Sequence, residues 1–170
     1  MHNRELFTAM PISIIMFCIG TAYAQSSLIT IKYKSFDKPI EVDAGFEKHT
    51  EIMNKLALMN DLKIIVQQSF RKANEEIENA IVVPVKTSNH LVGHAIDINI
   101  EYAGKLYNSK LLKNYELLPE KIKIFIIGCR ISKIRWGGDL KINDSVHFDD
   151  DLYDVDRKKY EELIELYQSN

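Results

Sequence analysis

The segment Ala95-Ile96-Asp97-Ile98-Asn99-Ile100 constrains the fold more than any other stretch of the chain. It alternates apolar and polar residues, the period of a β-strand with one buried face. Successive side chains leave a strand on opposite faces, so the three isoleucines share one face and Asp97 projects inward from the other. An inward carboxylate on so apolar a strand is costly unless it is paired or bound to a metal. The nearest upstream histidine at a suitable position, His90, is too far from Asp97 for one helical face, which predicts a loop leading into the strand.

The flanking patterns supply the other elements. Leu28–Lys34 alternates like an exposed strand, and Leu62–Val66 is a short apolar strand candidate. Glu47–Asn60 carries Ile52, Leu56 and Met59 at helical spacing, and Ala73–Asn79 reads as an acidic loop or short helix. Pro119 followed by Glu120 opens a helix expected to run to Ser132. Ile134–Trp136 and Val146–Phe148 read as strands around turn-rich segments, and Asp156–Gln168 as a closing amphipathic helix. Helices and mostly antiparallel strands, without a regular βαβ alternation, predict an α+β fold. No repeat, low-complexity tract or linker divides residues 25–170, which are read as one domain.

Beyond residue 24 the histidines are His49, His90, His94 and His147. Three of them lie near carboxylates in two Gly-containing contexts, His90 and His94 in Ser88–Asp97 and His147 in Trp136–Asp149. Two imidazoles and one carboxylate with a fourth position open make a catalytic zinc site. A carboxylate three residues before a ligand histidine, as Asp144 is before His147, suits the base beside such a metal. Spacing alone does not single out this ligand set. His94 follows His90 at four residues, but Gly93 between them argues against a helical pair, so His94 is expected to support the site or wall the cleft. His49 reads as a surface residue of an amphipathic helix.

Ser88, His90, Gly93, Ala95 and Asp97 together reproduce the SxHxxGxAxD signature and resemble the VanY-type peptidoglycan peptidases. That family holds D-alanyl-D-alanine carboxypeptidases and L-alanyl-D-glutamate endopeptidases on a hedgehog-like fold. Trp136-Gly137-Gly138-Asp139 and Asp144-x-x-His147-Phe148 resemble elements of the endopeptidase branch, and Ser69-Phe70-Arg71 resembles a further family element. The resemblance implies zinc held by His90, Asp97 and His147, with Asp144 as the acid–base residue. It implies Arg71 at the substrate carbonyl or oxyanion and Ser88 at the ligand loop or a substrate amide, while Trp136, beside two glycines near the site, reads as either core or substrate wall. Gly93 and Ala95 are expected to let the ligand loop approach the metal closely. Val146 and Asp149 stand where endopeptidases usually carry Pro and Glu, and neither departure is expected to touch a ligand.

Charge and composition narrow the partners. With 22 basic and 24 acidic residues the net charge is −2, which argues against a nucleic-acid binder. The family resemblance implies stem peptides of peptidoglycan as the partner, and the protein is expected to be a monomer, peripheral to a membrane at most. Arg4, the apolar run Pro11–Gly20, and Ala22 and Ala24 before Gln25 read as an export signal over residues 1–24. That run is shorter than the roughly 20 residues a comfortable membrane span needs, although an uncleaved anchor is the alternative. A periplasmic or secreted protein is the expectation. Cleavage removes Cys18 and leaves Cys129, within an apolar run, as a buried structural thiol. The run Asp149-Asp150-Asp151 reads as a solvated acidic face.

Overall fold

A computed structural model describes residues 27–73 and 87–169. The segment read as an export signal, with Cys18, and most of the acidic stretch after Ala73 lie outside them. The described residues form an α+β structure with antiparallel strand pairs. Strand β1 (Leu28–Ile31) pairs with β2 (Ile40–Asp43) in a small separate sheet. A short 3-10 turn, Ala44–Phe46, leads into helix α1 (Glu47–Met59), which is followed by β3 (Lys63–Gln68). The strand read first in the sequence is β4 (Ala95–Tyr102), continued by β5 (Lys105–Tyr107) and the single-turn α2 (Ser109–Leu112).

Helix α3 (Glu120–Ile131) begins after Pro119 and is capped by Ser132, as the sequence predicts. Then come β6 (Arg135–Trp136), β7 (His147–Asp149), the single-turn α4 (Leu152–Val155) and α5 (Arg157–Gln168). The main sheet runs β3-β4-β7-β6, with β5 also paired to β4. Asp156 accepts a hydrogen bond from the Lys159 N–H and so caps α5.

The alternation of β4 decides where everything else goes. Ile96, Ile98 and Ile100 are fully buried in a core shared with Ile64, Val66 and Phe148 from the sheet, Met53 and Ala57 from α1, and Ile122 and Phe125 from α3. At about 1.5–3 kcal/mol for each large apolar side chain removed from water, that face alone fixes the register. Antiparallel pairing sets Asp97 opposite His147 on β7 and opposite Gln68 on β3, where the register shifts. A second cluster packs α5, through Tyr160, Leu163 and Tyr167, against Val92. Val92 belongs to the 3-10 turn Asn89–Val92 that carries His90. The core thus holds the strand, and α5 holds the turn.

Candidate metal centre

His90, Asp97 and His147 reach one point from three different elements. Ser88 starts the turn by accepting the His90 N–H on its hydroxyl, and Gly93 ends it with φ 72°. A side chain at Gly93 would meet the Asp43 backbone nitrogen at 2.5 Å, and Asp43 N–H donates to Gly93 O at 3.0 Å. Gly93 therefore lets the turn that carries His90 pack closely against β2.

His90 Nε2 lies 3.1 Å from Asp97 Oδ1, His147 Nδ1 lies 3.0 Å from the same oxygen, and the two nitrogens are 3.2 Å apart. Donors around a tetrahedral ion at about 2.0–2.2 Å sit roughly 3.3–3.6 Å from one another, so this spacing is already close to that of a zinc site. The outward nitrogens have acceptors of their own. Ser69 O is 2.8 Å from His90 Nδ1, and Asp149 Oδ2 is 3.0 Å from His147 Nε2. With an ion bound, these acceptors would take the outer protons and leave the inner lone pairs to the metal. The donor set fits zinc.

Electrostatics agree. Burial opposes the charge on Asp97, yet His90 and His147 hold its carboxyl well below the usual range. Burial also disfavours a charged His147, but hydrogen bonds to Asp149 and Asp97 outweigh it and push the imidazole up to about 10. A cluster that attracts a proton this strongly attracts a dication at the same focus. Asp144 is half-buried nearby, and burial first, then the Asp97 charge, raise its pKa. An upward shift is the direction that a proton-transferring carboxyl needs.

The Asp144 loop depends on Gly137. Asp144 N–H donates to Gly137 O at 3.0 Å, and His147 N–H donates to Asp144 O at 3.0 Å. A Cβ at residue 137 would lie 2.1 Å from Asp144 O and 2.9 Å from His147 Cβ. Only glycine lets this turn close against the strand that carries the ligand.

Several expectations need correction. Trp136 is core and not a substrate wall: it is 2% exposed, with Tyr115, Arg130 and Gly138 against its ring and its N–H donated to Ser145 O at 2.8 Å. Asp149 is no solvated acid, being 1% exposed, and it does touch a presumed ligand. The carboxylate was hidden inside an acidic run; its spacing of two from His147 on a strand, hence the same face, was the available signal. His94 touches no ligand. It is buried between Asp43 and Asp150, at 3.2 and 2.8 Å. His49 is half-buried, tilted against Phe46 and 3.8 Å from Asp150, so it is not a plain surface residue. Cys129 is buried and burial pushes its thiol up, the behaviour of a structural residue. Arg71 is 5% exposed, and its N–H donates to His90 O at 3.2 Å.

Residues 84–150 match the model of a family described as D-alanyl-D-alanine carboxypeptidase. The matching family is the one the motifs resemble. This peptidase match covers less than half of the chain but includes all three metal-group residues, Asp144 and Asp149. No curated protein matches the chain. Among the described residues no helix is long and apolar enough to cross a membrane.

Proposed function

We propose that this is an exported zinc peptidase that hydrolyses stem peptides of bacterial peptidoglycan, cutting the L-alanyl-D-glutamate bond. The observation that carries the reading is the convergence of His90 Nε2, Asp97 Oδ1 and His147 Nδ1 beside Asp144, within the segment matched by the peptidase family. Zinc held there supplies Lewis acidity, which polarises a carbonyl and makes water nucleophilic near neutral pH. Asp144 takes the proton of the attacking water and passes it to the leaving amine as the C–N bond breaks. Arg71, tied through its backbone to His90, opposes the negative charge that develops on the carbonyl oxygen. Ser88 acts on the site by shaping the ligand turn, since its hydroxyl caps that turn and its carbonyl accepts the Tyr160 hydroxyl at 3.2 Å.

The matched family's description favours a second reading, release of the terminal D-alanine. Digestion of purified sacculi with zinc-loaded protein separates the two by mass spectrometry. New L-alanine carboxyl ends paired with D-glutamate amines support the endopeptidase, whereas free D-alanine supports the carboxypeptidase. Export belongs to the same proposal, with Gln25 as the first residue found on N-terminal sequencing of periplasmic or secreted protein. An intact chain recovered from membranes would favour an anchor.

A further inference from the structure

We infer that Asp149 is a positioning residue for the metal group: it fixes His147 as the Nε2–H tautomer, so that Nδ1 faces the ion. The inference rests on the reading that His90, Asp97 and His147 hold a metal. A neutral imidazole has one donor and one acceptor nitrogen, and an ionised carboxylate only accepts. Asp149 Oδ2 lies 3.0 Å from His147 Nε2, so the proton belongs there and the lone pair is left on Nδ1. His90 presents the opposite nitrogen, Nε2, because Ser69 O holds its Nδ1 at 2.8 Å. The two imidazoles thus meet the same Asp97 oxygen through unlike atoms.

The carboxylate is itself held from several sides. Arg135 stands opposite Asp149 in the β6–β7 register and binds it twice, Nε to Oδ1 at 2.8 Å and a terminal nitrogen to Oδ2 at 2.7 Å. Asn89 Nδ2 donates to Oδ2 at 3.0 Å, and Asp151 N–H donates to Oδ1 at 3.2 Å. Two of these partners matter most. The bidentate Arg135 keeps a buried carboxylate ionised and its plane fixed. Asn89 is the neighbour of His90, so one carboxylate ties both histidine-bearing segments together. A buried anion with this many partners, aimed at one ring nitrogen, does more than fill the core.

The test uses Asp149→Asn and, as a control that removes another Arg135 partner without touching His147, Asp151→Asn. Zinc affinity is measured by competition with a chromophoric chelator, and the visible spectrum is recorded after cobalt replaces zinc. Asp149→Asn is expected to weaken zinc about 10–100-fold and to alter the cobalt bands. Asp149→Glu, which restores charge and acceptor, is expected to recover part of the affinity, and Asp151→Asn to match wild type. An Asp149→Asn protein with wild-type affinity and spectrum would overturn the inference. Should that variant not fold, long-range proton–nitrogen NMR of zinc-loaded wild type decides the matter. A proton on His147 Nε2 with metal on Nδ1 supports the inference, and the reverse tautomer overturns it. Wild type that binds neither zinc nor cobalt would instead defeat the metal reading beneath it.

Discussion

His90 and His94 stand four residues apart, both buried and both facing aspartate, yet they are held in different ways. His94 has a separate carboxylate for each ring nitrogen, Asp150 at Nδ1 and Asp43 at Nε2. Burial disfavours its charge, but those two hydrogen bonds push it up to about 9, which makes it a closed, cationic link. His90 gives one nitrogen to a backbone carbonyl and points the other at an oxygen already shared with His147. Residue types barely differ between the two places. What differs is convergence: separate partners close a salt link, whereas lone pairs aimed at one focus make a site for a cation.

The largest effect should fall on the converging side alone. Asp144→Ala should keep zinc and fold while hydrolysis of stem-peptide fragments drops by about 10²–10⁴, the scale of a lost general acid–base group. Arg71→Ala should lose roughly 10²–10³ if it opposes the oxyanion. The two losses need not add, because both act on one transition state. Turnover by Asp144→Ala at the wild-type rate would leave a zinc-holding peptide binder without this mechanism.

On the closed side the effect is on stability. The folded pKa of His94 lies above its ordinary 6.5, so its stabilisation is complete below pH 6.5 and fades as pH rises through about 9. Comparing wild type with His94→Gln by denaturant unfolding should show a gap on the order of 2–4 kcal/mol at pH 6. The gap should narrow between pH 6.5 and 9. A gap that is constant with pH would mean the link is not ionic. Zinc content should be the same in both proteins.

A smaller effect tests whether the turn, and not only its ligands, builds the focus. Gly137→Ala forces a methyl against Asp144 O and His147 Cβ. Crowding of this kind typically costs about 1–3 kcal/mol. Weaker zinc binding should accompany the lower melting temperature, although no ligand is altered. Unchanged affinity would show that the loop gives way without moving His147.

The converging group was legible through the family resemblance of its motifs, and local signals marked only its parts. Alternation exposed Asp97, turn residues flank His90, and the elements α1, β4, α3 and α5 follow from periodicity and caps over eight to thirteen residues. The closed link was not legible, because Asp43 and Asp150 reach His94 from remote segments and only the tertiary structure joins them. Strand β2, four residues long, is too short for alternation to stand out. Asp149 failed for another reason: an acidic run normally faces solvent, and only strand register sets this member against Arg135 and His147. Trp136 misled because an aromatic beside two glycines suits a cleft as well as a core.

The contrast between the two histidines is tested most directly by metal analysis after zinc loading and removal of loose ions. Wild type and His94→Gln should each retain about one zinc per chain, and His147→Ala should retain none. Undiminished zinc in His147→Ala, or its loss from a folded His94→Gln, would contradict the assignment.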